Sequence, residues 1–388
     1  MEGTTADDTT VHDATDRDTV ADWLGLVDAR WPWATAQSWD HVGLQVGDPA
    51  DVVARVLVSL DVTLEVVEEA ADQPGTLVLA HHPLLFRPLD ALTPATASGR
   101  SALAAARAGV AVAAAHTNLD IASDGTGTSD PVVRALDLVD VEPLSTQPGT
   151  DQVKLVTFVP PEHLDAVVDA VTATGAGTIG DYSRCTFRSR GTGTYRPLEG
   201  ASPHVGSHGA DHAVDEWRLE VVVARAGMAR AVAALESVHP HEEVAVDLVP
   251  LVVSPQPSIG RIGRLREPAS LTSVAQRLRD GLPSPHLRAA GDPDRLVEVV
   301  ATVGGAGDSM VGDAVAAGAE CYVTGDLRHH VTLDAVADGL AVVDAGHHAV
   351  EHAAMAPWIR ALEQERRRLG LAAPVVASTV DTQPWLQL

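Results

Sequence analysis

The sequence predicts an α/β fold in two parts, with an α+β domain inserted between them. Three observations support this prediction. Apolar strand-like runs alternate with helical patterns over about 56–115, the same alternation resumes after about residue 270, and a different order of elements occupies 153–249. Near-continuous apolar strands separated by helices are typical of sheets with parallel strands that are covered on both faces.

The first α/β part begins with an amphipathic helix and continues as alternating strands and helices. Its predicted elements are a helix at 20–27, a strand at 56–60, a helix at 64–71, a strand at 76–80, a helix at 102–108 and a strand at 110–115. Ligand sites in open α/β sheets lie beyond the carboxyl ends of the strands. Because His81 and His116 directly follow two of these strands, the sequence predicts a site at that edge.

The middle of the chain has its own order of elements. It reads as a strand at 154–159, a helix at 164–171, a Gly-, Ser- and Thr-rich stretch with room for another strand at 175–214, a strand at 217–224, a helix at 228–238 and a strand at 244–249. This order is the sequence form of a split βαβ, ferredoxin-like unit. The proline-containing stretch 250–257 then serves as a return linker.

The second α/β part completes the first. Its predicted elements are a helix at 270–280, a strand at 297–303, a helix at 310–317, strands at 321–324 and 341–343, and a helix at 347–368. The domain boundaries that we predict are a leader at 1–17, an N-terminal half at 18–150, an inserted domain at 151–252 and a C-terminal half at 253–388.

Composition narrows the classes of protein. The formal net charge of −26 opposes binding to a polyanion, so we expect no nucleic-acid partner. Cys185 and Cys321 are far apart, which leaves no disulfide framework and indicates a reduced intracellular setting. Residues 1–17 are acidic and Thr-rich, as in a disordered leader, and no apolar run approaches the ~20 residues of a membrane helix. We therefore expect a soluble, cytoplasmic protein.

Five side chains are candidate metal ligands. His81 and His82 end a strand before a proline, Asp120 closes the segment that follows the next strand, and His347 and Glu351 lie four residues apart at a predicted helix start. That spacing places the last two side chains on one helical face. Each feature alone also fits an exposed helical pair, solvated loop histidines or a turn carboxylate. Their shared position at strand ends favours a joint site.

The number of donors indicates more than one metal. Two or three imidazoles and two carboxylates exceed the three protein ligands of a catalytic zinc. Two metals that share a carboxylate fit the set better, and two-metal sites stabilise both the attacking and the leaving oxygen in hydrolysis. The sequence therefore favours a metal-dependent hydrolase.

Two further segments are candidate parts of the site. The glycine-rich turn that contains Gly307 and Ser309 follows a strand and opens a helix, so it could bind an anionic substrate or serve only as a tight βα turn. Asp326 and His330 follow the next strand and are candidates for a general acid or base, or for support of the ligands. The cluster at 239–243 lies at a helix end, where cationic histidine can simply favour the helix dipole.

Taken in order, these segments resemble the dinuclear-metal hexameric family of GTP cyclohydrolase 1 type 2 homologs, the YbgI- and YqfO-like proteins. The resemblance covers about residues 20–380. The middle segment resembles the insertion of the longer members, a domain similar to PII and CutA proteins, through 191–200 and His239-Pro240. The other motifs that carry the resemblance are Trp39-Asp40-x-Val42-Gly43, His81-His82-Pro83, His116-Thr117-Asn118-Leu119-Asp120, the turn with Ser309, Thr324-Gly325-Asp326 and Asp344-x-Gly346-His347-x-x-x-Glu351.

The resemblance implies a ligand set and an assembly. It implies one metal held by His82, Asp120 and Glu351, and a second held by His81 and His347 with Glu351 shared. It also implies two divalent ions per subunit, which could be Zn, Fe, Mn or Co. The expected partners are five further copies in a toroidal homohexamer and a small-molecule substrate such as a nucleotide, with no membrane.

The sequence departs from the family pattern near the site. His41 stands where Asn is common, His329 and His348 replace aromatic residues, and the turn after Asp120 is longer than usual. These extra imidazoles are candidate competing ligands.

Three functions remain open from the sequence. The family name implies metal-activated water attacking a purine nucleotide ring. The same metals could hydrolyse phosphoesters or nucleotides. A non-catalytic metal-binding regulatory ring with a ligand-sensing insert is the alternative from another class.

Overall fold

The structure, a computed structural model, describes residues 18–147, 152–179, 182–251, 256–283 and 287–386. The chain divides into two compact units, Met1–Thr146 with Pro257–Leu388, and Gln147–Gln256. The predicted leader, 1–17, and part of the predicted return linker, 252–255, lie outside the described residues. Within the part that the structure describes, no helix has the length and apolarity that a membrane span needs.

The described residues form α-helices and β-strands that we number in chain order. The helices α1 to α11 are Val20–Arg30, Leu64–Ala71, Ala97–Ala108, Thr117–Asp120, Asp130–Ala135, Leu164–Thr172, Met228–Glu236, Leu271–Gly281, Val311–Ala316, His329–Ala337 and His347–Leu369. The strands β1 to β17 are Gly43–Val46, Arg55–Ser59, Thr76–Ala80, Ala111–Ala114, Val139–Pro143, Thr146–Gln147, Gln152–Val159, Thr186–Tyr195, His212–Ala224, Val246–Pro250, Gln256–Pro257, Arg261–Ser270, Arg288–Ala290, Leu296–Ala306, Cys321–Gly325, Ala341–Asp344 and Val375–Ala377.

The first sheet of the larger unit has the order β1-β4-β3-β2-β17. Its strands β4, β3, β2 and β17 are parallel, and β1 is antiparallel to β4. Every residue of β3 and β4 is buried, which explains their continuous apolar sequences. Helices α1 and α11 contribute to the core on one face, and α2 and α3 contribute to the core on the other.

The second sheet of this unit has the order β13-β16-β15-β14-β12-β5. Its central strands β14, β15 and β16 are parallel, and the outer pairings are antiparallel. Helix α11 belongs to both halves, because Val350 packs in the core of the second sheet while Trp358 and Leu362 pack in that of the first. The predicted α/β class is confirmed as a mixed α/β structure with several sheets.

Strand β12 is the main element that the sequence did not predict. Arg264, Arg266 and Glu267 are exposed on this strand, and a register shift separates Arg264 from Ala269 where it pairs with β14. Charged exposed residues and a proline inside the strand conceal the alternation that normally predicts a strand.

The smaller unit is built on one antiparallel sheet of order β10-β7-β9-β8. Its elements follow each other as strand, helix, strand, strand, helix and strand, with β8 in the stretch that had room for a further strand. Helices α6 and α7 pack against one face, where Leu155, Leu219 and Leu235 are fully buried. Glu216 and Arg218 belong to the opposite face, because they alternate along β9 with the buried Leu219 and its apolar neighbours.

A buried arginine joins the two parts of the larger unit. Arg261 at the start of β12 is 2% exposed and donates to the carbonyls of Gly260 at 2.8 Å and Ile121 at 2.9 Å. It also donates to the carbonyl of Ala122 and lies 3.8 Å from Asp130. Burial lowers the pKa of Arg261, and the nearby carboxylates oppose that shift. This side chain therefore fixes the long turn that follows Asp120.

We expect Arg261→Met to lower the free energy of unfolding by about 3 kcal/mol, because it leaves Asp130 and the turn carbonyls without their partner. Denaturant unfolding followed by circular dichroism measures the change. The matched control is Arg266→Met on the same strand, whose exposed guanidinium pairs with Asp137 on the surface. A change of equal size in the two variants would contradict this role of Arg261.

Candidate metal centre

The first sheet contributes imidazoles and carboxylates at the carboxyl ends of its parallel strands. His81 and His82 directly follow β3, and their N–H groups donate to the carbonyls of Ser59 at 3.1 Å and Leu60 at 2.8 Å. Although adjacent in the chain, the two rings lie with centroids 4.9 Å apart. Asp61 follows β2 at the same edge. The backbone ladder thus holds both histidines at one site before the chain turns at the following proline.

Helix α11 contributes the other part of the centre. His347 begins this helix and Glu351 follows one turn later, and their Nε2 and Oε2 atoms are 3.0 Å apart. Two glycines permit this approach. A side chain at Gly305 would collide with the Glu351 carboxylate, and one at Gly325 would collide with the backbone of His347.

Three of the predicted ligands, all histidines, converge on the carboxylate of Glu351, which is 3% exposed. The Nε2 atoms of His82 and His347 both lie 3.0 Å from Oε2 and 3.2 Å from each other. His81 Nε2 lies 3.6 Å from Oε1 and 3.6 Å from Asp120 Oδ1. The family resemblance pairs His82 with Asp120 and His81 with His347, whereas the side chains lie with His81 beside Asp120 and His82 beside His347.

Each imidazole at this centre is held through its Nδ1 atom. The partner is always a hydrogen-bond acceptor, so Nδ1 carries the proton and, in a neutral ring, Nε2 keeps its lone pair. The four contacts are His81 with the Ala115 carbonyl at 3.1 Å, His82 with Asp61 at 2.8 Å, His116 with Asp40 at 2.9 Å and His347 with Asp326 at 2.8 Å.

This arrangement leaves buried acceptors facing one another. Among the described residues, His81 Nε2 and Glu351 Oε2 are buried without a hydrogen-bond partner. The short distances from Glu351 Oε2 to His82 and His347 are therefore approaches that do not meet hydrogen-bond geometry. Since buried polar atoms without partners are costly, a cation between them would satisfy the site. The donor set fits a divalent metal.

The electrostatics of the centre also favour positive charge beside Glu351. Burial lowers the pKa of His82, but the charges of Glu351 and Asp61 outweigh it and raise that pKa to about 10. For His347, burial is likewise outweighed, chiefly by Glu351, and the pKa rises to about 9. Burial would raise the pKa of Glu351, yet the surrounding imidazoles hold it well below its ordinary value. Protons and metal ions therefore compete for the same nitrogens.

The two candidates for a supporting or acid–base role differ, because Asp326 hydrogen-bonds to a ligand and His330 does not within the described residues. Asp326 adopts a left-handed backbone conformation with φ of 54° directly after β15 and accepts from His347. His330 is exposed at the start of α10, and its ring lies 5.2 Å from that of His329. No hydrogen bond or ion pair among the described residues joins His330 to the five candidate ligands.

The glycine-rich turn borders the centre at Gly305, two residues before Gly307. Gly307 is buried and its carbonyl accepts from the Tyr322 hydroxyl at 2.9 Å. A side chain at Gly307 would collide with Tyr322 and Thr324. Ser309 is exposed in a short 3-10 turn. Close packing therefore accounts for Gly307, and substrate contact by either residue stays a prediction.

Of the extra imidazoles, only His348 shares a cavity with His82 and His347 in the described structure. His348 Nε2 lies 3.8 Å from Asp381, and its ring stacks on that of another helical histidine. His329 borders a different cavity, and His41 is exposed. The nearest additional imidazole is instead His116, with ring centroids 5.1 Å from His81 and 5.5 Å from His82.

Sequence reasoning proposed Asp326 as a support for the ligands but missed the same role for Asp61, and it also missed the hydrogen bonds of Asp40 and Thr128. Asp40 accepts from both His116 and Thr117, and Thr128 donates to Asp120. Asp61 carried a usable signal, because it lies just beyond a buried strand at the same edge as His81. Asp40 is 76 residues from His116, and the contact between Thr128 and Asp120 depends on the conformation of the turn, so neither carries such a signal.

A cavity of about 850 Å³ adjoins the centre. Its volume lies within the range of small-molecule sites. Side chains of the candidate metal centre and apolar side chains both border it, among them Asp61, His82, Phe86, Asp326, His347 and Trp385.

The fold and the site define the class of protein. It is an α/β protein in which strand ends and helix α11 place imidazoles around a buried carboxylate, where a metal ion could bind. The chain is a member of the Duf34/NIF3 (NGG1p interacting factor 3) family, whose profile matches residues 19–384. This membership confirms the resemblance found in the sequence.

Relatives and solved structures span nearly the whole chain. A Mycobacterium tuberculosis protein named GTP cyclohydrolase 1 type 2 homolog is 43% identical over 372 residues, which cover 94% of this chain and 96% of the relative. A Bacillus subtilis protein of the same name is 40% identical and covers 82% of this chain and 85% of the relative. The crystal structure of a Bacillus cereus protein related to NIF3 has 34% identity and a TM-score of 0.66, with coverage of 96% and 100%.

We expect the affinity of the centre for Zn²⁺ to keep rising between pH 7 and pH 9. His82 and His347 must lose protons whose pKa values are about 10 and about 9, and each proton displaced contributes about 10-fold per pH unit. Competition with a chelator of known affinity, from pH 6 to pH 9, measures this.

Glu351→Gln is the matched variant for this measurement. It removes the charge that contributes most to raising both pKa values, so its weaker affinity should rise less steeply above pH 7.5 than that of the wild type. A wild-type affinity that is constant above pH 7.5 would contradict the electrostatic coupling.

Proposed function

We propose that the protein binds two divalent metal ions and uses them to hydrolyse a small-molecule substrate. The observation that carries this proposal is the convergence of three Nδ1-anchored imidazoles on one buried carboxylate, with Asp120 beside one of these imidazoles. A cluster kept only for stability does not need every ring oriented with its Nε2 atom toward the same group.

The geometry supports two subsites that share Glu351. His82 and His347 face Oε2, while His81 lies 3.6 Å from both Oε1 and Asp120. When bound, a pair of divalent ions lowers the pKa of water and stabilises charge on the attacking and leaving oxygens. Imidazole and carboxylate donors accept Zn, Fe, Mn or Co.

The chain's own residues orient the ligands and shape the substrate site. Asp61 and Asp326 fix the rings of His82 and His347, as supporting carboxylates do in metal sites. Trp39 and Phe86 are about half exposed, and their ring centroids lie 5.9 Å apart.

These two aromatic rings favour a planar substrate. Both lie 6.0 Å from the ring of His116, next to the imidazole cluster, and present a stacking surface for a flat ring. Together with the name of the relatives, this surface supports a purine nucleotide as substrate, with hydrolytic attack on its ring. Hydrolysis of a phosphoester or nucleotide is the second enzymatic candidate.

We also propose that the smaller unit is a ferredoxin-like domain of the PII or CutA type. Its strand order β10-β7-β9-β8 and its two helices on one face support this assignment. The assembly that we propose, from the family resemblance, is a toroidal homohexamer. A non-catalytic ring with a ligand-sensing insert is favoured by one observation, a cavity of about 610 Å³ within the smaller unit.

Turnover by the full chain tests the hydrolase proposal. The protein is loaded in turn with Zn²⁺, Mn²⁺, Fe²⁺ or Co²⁺ and assayed against GTP and simple phosphoesters. We expect one metal form to be active and Glu351→Ala to reduce turnover at least ~100-fold, because loss of a ligand exceeds the typical effect of losing its support.

Glu363→Ala is the control on the same helix, because its carboxylate pairs with Arg366 and Arg367 on the surface. It should retain full activity. Turnover that survives Glu351→Ala would place the activity elsewhere, and no turnover in any metal form would favour the regulatory ring.

A further inference from the structure

We propose that the smaller unit carries a separate site for a divalent transition-metal ion, held by Glu162, His163 and His204. The ligand atoms of these three side chains all lie within 4.8 Å of one another. Glu162 Oε1 and His204 Nε2 are 4.0 Å apart, and the rings of His163 and His204 have centroids 5.7 Å apart. All three residues belong to this unit.

Local structure brings the three side chains together. Glu162 and His163 occupy a 3-10 turn, Pro161–His163, that connects β7 to α6. His204 lies in the long loop between β8 and β9. Within the described ranges, no ring nitrogen of His163 or His204 hydrogen-bonds to protein, and no lysine or arginine pairs with Glu162. Their donor atoms are available to a ligand.

A largely buried carboxylate borders the same cavity as His204 and is a second observation that points to a ligand. Glu216 is 8% exposed, and its nearest cationic partner in the described structure is His241, at 3.9 Å. Gly193 makes room for this carboxylate, because a side chain there would collide with it. Glu216, His204 and His241 all border the cavity of about 610 Å³. Since an under-partnered buried carboxylate is costly, the cavity is suited to a cationic group.

The histidines of this unit divide into structural and available ones. His239 is buried and uses both ring nitrogens, because Nε2 contacts the Phe158 carbonyl at 3.1 Å and Nδ1 accepts from the His241 N–H at 3.2 Å. It therefore positions His241, whose ring centroid lies 6.2 Å from that of His204. The helix dipole does not account for this arrangement.

The donor set identifies the class of metal. Two imidazoles with one carboxylate are a three-ligand set typical of zinc sites that keep an open position. Imidazole donors select Zn²⁺, Co²⁺ or Ni²⁺ over Mg²⁺ and Ca²⁺, which require oxygen ligands. A further ligand from the cavity could occupy the open position. This site shares no residue with the centre around Glu351 and does not depend on the proposed hydrolase activity.

Zinc binding by the full chain tests the proposal. Protein stripped of metal is titrated with Zn²⁺ in competition with a chromophoric chelator, and circular dichroism checks each variant for folding. We expect the combined change His163→Ala and His204→Ala to weaken one equivalent of Zn²⁺ at least ~100-fold, as for loss of direct ligands. The side chain of Glu162 is 62% exposed, so Glu162→Gln should fold even if the double variant does not. We expect it to lower the affinity for the same Zn²⁺ ion at least ~10-fold.

Two controls separate this site from other binding. His208→Ala changes a histidine in the same loop that contacts only the Ala201 carbonyl among described residues, and it should leave this equivalent intact. Glu351→Ala should also retain it, even if the centre of the larger unit loses its metals. The proposal would be overturned if the double variant and Glu162→Gln both bound the same number of Zn²⁺ ions with the same affinity as the wild type. It would also be overturned if either control lost this equivalent of Zn²⁺.

Discussion

The buried carboxylate of Glu351 is the constraint on which the larger unit depends. A charged group at this depth is stable only when surrounding groups compensate it, so several elements must place donors within reach. Helix α11 carries Glu351 one turn after its start and packs through Val350 and Trp358 into two different cores. The position of the helix is therefore fixed by apolar packing along its length and by electrostatics at its start.

Both sheets position groups that compensate the charge of that carboxylate. Parallel strands end at one edge, and each sheet directs such an edge toward the start of α11. The first sheet supplies His81 and His82, and the second supports His347 through Asp326. Asp326 has a left-handed backbone conformation, which is unfavourable for most residues other than glycine. This conformation accompanies its hydrogen bond to His347.

Sequence reasoning was most accurate where one physical signal dominated. The strand at 76–80 and the helix at 64–71 have the same bounds in the structure, because a continuous apolar run and a clear amphipathic period defined them. The charged strand β12 has neither signal. The candidate ligands were visible because strand ends collect ligands, whereas the grouping of His81 with Asp120 depends on three-dimensional packing that no spacing in the chain encodes.

The hydrogen bonds of the imidazole rings distinguish structural histidines from candidate ligands in both units. His239 has both nitrogens bonded to protein, so it can only position its neighbours. His81, in contrast, has one nitrogen anchored by a carbonyl and the other buried without a partner. Burial of an unpaired acceptor costs free energy that a purely structural ring would avoid by turning toward a donor. An anchored ring with an unpaired inward nitrogen is therefore suited to a ligand, and this asymmetry, more than the number of histidines, distinguishes the centre around Glu351.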